Sequence, residues 1–325
     1  MGLGPVINRR QVLCGTAMAI GWGMPTVHAG SAGLPQRPVR IIVPFSAGTT
    51  LDVMARALSA ALEPVIGQRP PVVNRDGAAG FIALSEMAQA EADGTTWLFS
   101  GPGQFTIQPH IRRRVAFTLD DFSPVCQLYE TPFAVVASRR SPATTFAEFL
   151  DRARSEPGRI RFGHYGPGSA THLLMVILAR QYGLTFLDIP YRSQGQLVQD
   201  LLTGELEAAV LAPGSYEPDI VRHLVILGTH RYTEQPDIPT IVEMGQPPPL
   251  ASFAGIYVMK GVPEPVRAAI EAACLAAAAD PVFRGAAGRA RVEAAPLPAG
   301  PFKDRILAQS REVQALVAEI GLRID

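Results

Sequence analysis

The sequence predicts an α/β fold of two lobes, each a mainly parallel sheet flanked by helices, and three observations support this prediction. Short apolar runs that suit buried strands alternate with amphipathic helical segments along most of the chain. Glycine-rich loops repeatedly join the end of such a strand to the start of a helix, as in parallel sheets covered on both faces. The chain has 325 residues, more than one hydrophobic core usually supports, so two lobes are expected.

Composition and charge narrow the function. Apolar residues make up 47% and charged residues 18% of the chain, which is typical of a globular protein. The 29 basic residues balance 29 acidic ones, so neither nucleic acid nor an acidic membrane surface has an electrostatic reason to bind. A charged ligand must therefore be held by a local site.

The N-terminus is typical of an export signal. Arg9-Arg10 precede the apolar run Val12–Val27, and Val27-His28-Ala29 is a cleavage motif of small-residue type. Residues 1–29 are therefore predicted to be a signal peptide, and the mature protein a soluble periplasmic one. The arginine pair indicates twin-arginine export, while ordinary secretory export also fits. Of the cysteines, only Cys126 and Cys274 follow the cleavage point, and both are predicted to be buried thiols, with a disulfide left open.

The elements can be assigned in chain order. Val39–Val43 is a buried strand, and the helix after it carries an apolar face and is expected to end at Pro64. Further strands are predicted at Val72–Val73, Thr95–Phe99, Pro124–Tyr129, Phe133–Ala137 and Ile160–Phe162, with later units around Leu187–Pro190, Leu197–Thr203, Ala208–Leu211 and Leu224–Gly228. Helices are predicted through Met87, from a capping box at Thr145–Glu148, at Ala170–Tyr182, and as a closing pair at Glu264–Ala278 and Lys303–Ile320.

Two loops between a strand and a helix carry candidate chemistry. In Pro44–Asp52, Gly48 permits close backbone approach, and Thr49 and Asp52 have the spacing of a capping box. Free N–H groups, hydroxyls and the positive end of the helix dipole suit an anion there, although capping alone would also select these residues. Gly163–His172 repeats the pattern, and His172 either reaches a ligand or serves capping and packing.

Signatures of enzymes and cofactors are missing from the sequence. It contains no G-x-S-x-G motif, and its histidines lack the close spacing of metal ligands. Thr171 occupies the place of the third glycine of a dinucleotide fingerprint, and no lysine follows as in a P-loop. We therefore expect no catalytic residue, no metal and no cofactor.

Several short motifs, in order and at matching spacing from about residue 38 to residue 265, resemble the tripartite tricarboxylate transporter substrate-binding family, the Bug-type periplasmic receptors. These motifs are Arg37–Gly48 with Asp52 and Ala55-Arg56, Val72–Gly80, Asp93–Thr95, Asp121–Val125, Gly166–Ser169 with His172-Leu173, Pro190–Arg192, Leu201–Gly204, and Ile238–Thr240 with Glu243–Gly245.

The resemblance implies a type II periplasmic-binding-protein fold with a ligand cleft between its lobes. Residues 35–131 plus 250–325 would form lobe 1 and residues 132–249 lobe 2, with crossing segments near Thr131–Pro132 and Pro247–Ser252. In the family, one ligand carboxylate is held by backbone groups and ordered waters at the first loop. The expected binding residues are Phe45, Ser46, Ala47, Gly48, Thr49, Thr50, Asp52, Gly77, Ala79, Gly101, Gln104, Gly166, Gly168, Ser169, Thr171, His172, Tyr191 and Glu207.

The function that the resemblance implies is capture of a small organic anion for delivery to a membrane transporter. The ligand would be a dicarboxylate, a tricarboxylate, an acidic amino acid or an aromatic acid, bound by a monomer. A receptor that presents its ligand to a membrane sensor protein, and an exported enzyme on the same fold, are the alternatives. Thr49, Ser193, Glu207 and Leu211 depart from the family pattern, and Thr49 does so at the floor of the expected pocket, where a second glycine is usual.

Overall fold

The fold comes from a computed structural model, which describes residues 1–2, 33–35, 37–213, 216, 218–232, 235–250 and 252–324. Apart from its first two residues, the predicted signal peptide lies outside the described residues. Within these ranges, no helix is both long enough and apolar enough to cross a bilayer.

The described residues form strands and helices in alternation. The strands are β1 (Arg40–Val43), β2 (Val72–Asn74), β3 (Thr96–Ser100), β4 (Phe122–Glu130), β5 (Phe133–Ser138), β6 (Arg161–His164), β7 (Leu187–Pro190), β8 (Ala208–Leu211), β9 (Val221–Leu227), β10 (Phe253–Met259) and β11 (Glu293–Pro298). The helices are α1 (Thr50–Ile66), α2 (Phe81–Ala88), α3 (Gly103–Thr106), α4 (Gln108–Ile111), α5 (Phe146–Ser155), α6 (Ala170–Gln181), α7 (Gln194–Thr203), α8 (Glu264–Ala279), α9 (Pro281–Arg289) and α10 (Ala299–Ile320).

The strands form two sheets, which confirms the predicted two-sheet α/β architecture. The first sheet has the order β11-β4-β10-β3-β1-β2, and the second has the order β7-β6-β8-β5-β9. Both sheets are mixed, so the expectation of mainly parallel sheets was wrong. Strands joined by β-α-β crossovers are parallel, as in β1 with β2 and β3, and β6 with β7 and β8. By contrast, β10 enters the first sheet only after the chain has left the second, and it runs antiparallel to β3 and β4.

Each sheet has its own apolar core. In the first, β1 buries Ile41 and Ile42 under α1, whose Met54, Leu58 and Leu62 are fully buried. Burial of each such side chain contributes about 1.5–3 kcal/mol. The second core also includes residues from outside 132–249, namely Ile107, Ile111, Leu250, Val313 and Val317. Segments of the predicted lobe 1 thus pack on the second core, and the residue limits of the lobes stay a prediction.

Several sequence expectations need correction. Pro64 does not end α1, which continues to Ile66 and is capped by Gly67 in the left-handed region, because proline in a last turn removes only one helical hydrogen bond. Three closing helices are present where two were expected, because the additional helix α9 begins at Pro281. The edge strand β11 lies between α9 and α10. The sequence did not predict it, because its two prolines are atypical of a strand. Cys126 and Cys274 are free and buried, and burial together with the adjacent Cys126 thiol raises the pKa of Cys274.

Candidate functional site

A cavity of about 730 Å³ lies at the carboxyl ends of strands from both sheets. Loops after β1, β2 and β3 line it from the first sheet, and loops after β6 and β7 line it from the second. The two connections between the sheets also contribute, through Thr131 and Ser252 among others. Ligands of open α/β sheets bind at this end of the strands, so the cavity is the candidate binding site.

The loop after β1 is organised by the N-terminus of α1. Thr49 is the N-cap, and its Oγ1 accepts a hydrogen bond from the Asp52 backbone N–H at 3.3 Å and donates one to the Ser46 carbonyl at 3.0 Å. Gly48 takes a φ of 86°, and its N–H donates to the Asp52 carboxylate at 3.0 Å. Reciprocal bonds of this kind fix the loop while Ser46, Thr49 and Thr50 remain on the cavity wall.

Asp52 stabilises the loop after β1 through its buried side chain. The residue is 3% exposed, and its carboxylate accepts further hydrogen bonds from Arg56 and from the Asn74 side-chain amide. Burial would raise the pKa of Asp52, but these partners and the Gly48 N–H together lower it below its ordinary value. Asp52 is therefore an ionised structural carboxylate that does not line the cavity.

The loop after β2 has an unusual backbone. Gly77, Ala78, Ala79 and Gly80 have consecutive positive φ values of 122°, 49°, 54° and 95°. Two alanines in the left-handed region cost about 1–2 kcal/mol each, so the surrounding structure must hold them there. The Gln104 side chain does so in part, because its Nε2 donates to the Ala79 carbonyl at 3.3 Å. The strained segment lies at the edge of the cavity, which Gly77, Ala78 and Ala79 line.

The loop after β6 repeats the arrangement of the first. Ser169 is the N-cap of α6, and its Oγ accepts a hydrogen bond from the His172 backbone N–H at 3.2 Å. The Thr171 hydroxyl accepts from the Tyr165 N–H at 3.0 Å, and His172 Nδ1 accepts from the Gly168 N–H at 3.2 Å. Burial, reinforced by the neighbouring His164, lowers the pKa of His172 to about 4 although Asp188 acts in the opposite direction.

The side chain of Gln108 on α4 forms a hydrogen bond with the loop after β6, and both residues of this pair line the cavity. Its side chain is buried, and its Nε2 donates to the Gly168 carbonyl while its Oε1 accepts from Arg112 Nε at 2.6 Å. A Cβ at Gly168 would lie 2.7 Å from Ile111 Cδ1, so only glycine fits there without a shift. Gln108 and Ile111 thereby pack α4 directly against the loop that precedes α6.

Most of the predicted binding residues line the cavity, namely Phe45, Ser46, Thr49, Thr50, Gly77, Ala79, Gly101, Gln104, Gly166, Gly168, Ser169, Thr171 and Tyr191. Ala47, Gly48, Asp52, His172 and Glu207 are not among the lining residues. The carboxylate of Glu207 instead pairs with Arg152 at 2.7 Å and accepts from the Arg161 N–H. The Tyr191 hydroxyl donates to Asp200 at 2.8 Å, which leaves its ring as the contact surface.

Other lining residues were missed by sequence reasoning. They include the aromatic residues Tyr129, Phe133 and Phe253, at the strand ends next to the connections, and the cations Arg112 and Arg192. Arg192 lies in a motif already noted, whereas nothing in the sequence indicates that Arg112 at the end of α4 reaches the cavity. Among the described lining residues the charged side chains are Asp76, Arg112 and Arg192, so the wall carries a net positive charge that favours an anion.

Comparison with known proteins agrees with this geometry. Residues 54–322 match the family model of the tripartite tricarboxylate transporter family receptor. A UPF0065 protein of Bordetella pertussis is 30% identical over 263 residues, which cover 79% of this chain and 81% of that protein. BugT of the same organism is 32% identical over 231 residues, covering 67% of this chain and 69% of BugT.

Solved structures agree as well. A periplasmic transporter is 26% identical, with a TM-score of 0.85 over 90% of this chain and 99% of that one. MatC from Rhodopseudomonas palustris with bound malate is 25% identical, with a TM-score of 0.75 over 88% of this chain and 98% of that one. The two-sheet fold, the cavity at the strand ends and the matched family model lead to one conclusion: the chain belongs to the tripartite tricarboxylate transporter family of receptors.

Proposed function

We propose that the chain is a periplasmic receptor that captures a small organic carboxylate in this cavity and delivers it to a tripartite tricarboxylate-type membrane transporter. One observation carries the proposal: two capped helix N-termini, those of α1 and α6, face the same cavity from different sheets. Each offers hydroxyls and backbone N–H groups where the helix dipole favours negative charge.

The energetics favour directed hydrogen bonds as the main source of affinity. The dipole of a helix contributes roughly 0.3–1 kcal/mol to an anion at its start. A hydrogen bond to a charged group contributes about 1.5–3 kcal/mol, and the hydroxyl-bearing residues Ser46, Thr49, Ser169 and Thr171 all line the cavity. Two such bonds at each end therefore outweigh the dipoles, and an acid with two anionic ends gains from both loops.

The rest of the wall limits the ligand to an acid with an apolar middle. Phe45 and Phe133 line the wall and are only partly buried, so we take their rings as apolar surface between the two polar loops. MatC, which shares the fold at 25% identity, holds malate. A dicarboxylate of similar or somewhat larger size is the class that we propose, with Arg192 available to an anionic end.

Isothermal titration of the mature, metal-free chain against a panel of mono-, di- and tricarboxylates tests the proposal. We expect one acid to bind per chain, and the Ser169→Ala variant to bind it about tenfold more weakly, since one hydrogen bond to a carboxylate is lost. Thr145→Ala is the matched control, because Thr145 caps α5 in the same way and neither it nor its neighbours line the cavity. Failure of the folded chain to bind any acid of the panel would contradict the proposal.

A further inference from the structure

Two histidines and a carboxylate meet next to the cavity loop without lining the cavity. His164 ends β6, His172 lies in the first turn of α6, and Asp188 lies on β7 beside β6. One ligand-capable atom from each of the three lies within 4.8 Å of the other two. The fold thus brings together, from three elements, side chains that are far apart in sequence.

Both imidazoles direct the same ring atom toward the carboxylate. His164 Nε2 contacts Asp188 Oδ1, and His172 Nε2 lies 3.6 Å from Asp188 Oδ2. The two ring centroids are 4.5 Å apart, and the ring planes are tilted by 36° to each other. His164 is fully buried and His172 nearly so, whereas the Asp188 side chain is 47% exposed. The two imidazole nitrogens are therefore held in place by the surrounding core, whereas the Asp188 carboxylate is accessible to solvent.

This donor set is typical of a transition-metal ion. Two imidazole nitrogens and one carboxylate oxygen suit zinc, copper or nickel, and a water supplies the fourth ligand where a site is open. Ligands of a tetrahedral zinc lie roughly 3.4 Å from one another, as follows from bonds of about 2.0–2.1 Å. Because the Asp188 side chain is half exposed, it can move enough to bring its oxygen to this spacing. We propose that His164, His172 and Asp188 bind a divalent transition-metal ion, for which zinc is the test ion.

The site is joined to the ligand loop by one hydrogen bond. His172 Nδ1 accepts from the Gly168 N–H at 3.2 Å, so the ring proton of neutral His172 is on Nε2. Coordination through Nε2 moves that proton to Nδ1, where it opposes the Gly168 N–H as a second donor. Metal binding therefore removes a bond from the Gly166–Ser169 loop. By linkage, zinc and the cavity ligand weaken each other's binding.

Zinc titration of the mature chain, without an affinity tag and stripped with a chelator, tests the proposal. We expect one zinc ion per chain, and binding at least about tenfold weaker in Asp188→Asn and in His172→Gln. Asp120→Asn is the matched control, an exposed aspartate on a short helix before β4. Far-UV circular dichroism and thermal melting establish that each variant is folded.

Two further readouts locate the ion. Cobalt in place of zinc is expected to give the intense visible bands of a four-coordinate ion, which Asp188→Asn should lose. The Gly168 amide resonance should shift on zinc addition, because its acceptor is withdrawn. Absence of zinc binding by the wild type, or equal affinity in Asp188→Asn, overturns the site, and an unmoved Gly168 resonance overturns coordination through His172 Nε2. None of these measurements requires the organic acid, so they are independent of the proposed transport role.

Discussion

Replacement of Thr49 by glycine, the residue usual in the family at this position, is expected to alter ligand preference more than stability. The side chain makes two local hydrogen bonds, accepting from the Asp52 N–H and donating to the Ser46 carbonyl. Glycine is a tolerated N-cap, so losing the cap costs a few tenths of a kcal/mol. Losing the bond to Ser46 adds about 0.5–1.5 kcal/mol. A total near 1 kcal/mol lowers the Tm by roughly 1.5–2 °C, because the entropy of unfolding rises with chain length.

The effect on binding is expected to be larger and selective. Thr49 lines the cavity, and its hydroxyl must turn its proton from Ser46 toward a bound carboxylate. The net gain from that hydrogen bond then lies at the lower end of about 1.5–3 kcal/mol. An acid that uses the hydroxyl should bind about tenfold more weakly to Thr49→Gly, since 1.4 kcal/mol is about tenfold. A bulkier acid should gain from the space that the methyl group leaves.

Isothermal titration with a series of dicarboxylates measures this change as the ratio of affinities between a short and a long acid. Thr145→Gly is the matched control, because Thr145 caps α5 through the same hydrogen bond and lies away from the cavity. We expect the affinity ratio to change in Thr49→Gly only, while both variants lose similar stability. Unchanged ratios in Thr49→Gly, or equal changes in both variants, would refute the reasoning.

Three further predictions concern stability. Burial and nearby arginine charges lower the pKa of His223 to about 4, so the unfolded chain takes up a proton below pH 6.5 that the folded chain refuses. His223 should therefore contribute about 2 kcal/mol to the stability lost in urea unfolding between pH 7 and pH 5, a share that His223→Gln removes and the exposed His230→Gln leaves in place. The buried His172, whose pKa is also lowered to about 4, contributes a similar loss that remains in both variants. Gly168→Ala should destabilise the protein by at least about 1 kcal/mol more than Gly166→Ala, because both have positive φ but only the Cβ at 168 meets neighbours within 3 Å. Asp52→Asn should cost about 1–2 kcal/mol in urea unfolding at pH 7, since it removes the charge that Arg56 and two other donors bind.

Each of these three has a contradicting outcome. Equal pH dependence in the wild type and His223→Gln would show that His223 does not carry the acid sensitivity. Equal melting temperatures for the two glycine variants would remove the steric role of Gly168. A fully stable Asp52→Asn protein would show that the loop after β1 does not depend on the ionised carboxylate.

Local features of the fold were predictable from sequence because their causes lie within a few residues. The apolar run of β1 and the face of α1 required only periodicity, and the capping hydroxyls of Thr49 and Thr145 required only spacing. The same local rules identified the loops after β1 and β6 as anion-binding candidates. Their assignment to one cavity needed the topology, since strand ends meet only after the sheets form.

Features set by long-range contacts were not predictable. Strand β10 runs antiparallel to β3 and β4 because of the point at which the chain returns from the second sheet to the first. The residues of β10 do not indicate in which direction the strand runs. Gln108 reaches Gly168 across 60 residues, and Asp188 meets His164 across 24. Spacing along the chain therefore gave no sign of the bond from Gln108 to the loop or of the candidate metal site. Glu207 is a different case, since the family resemblance suggested it as a binding residue, whereas its carboxylate pairs with Arg152 and it is not among the lining residues.

Native mass spectrometry of the mature chain purified from the periplasm tests the central claim most directly, because it detects a bound acid without a prior choice of ligand. We expect one small organic acid per wild-type chain, retained by the double variant Thr145→Val with Thr118→Ala and lost from Thr49→Val with Ser169→Ala. Both pairs remove N-cap hydroxyls, and only the second pair lies on the cavity wall. A folded wild type that carries no acid and takes up none from a panel, or equal retention by both double variants, would contradict the assignment of the cavity as a carboxylate site.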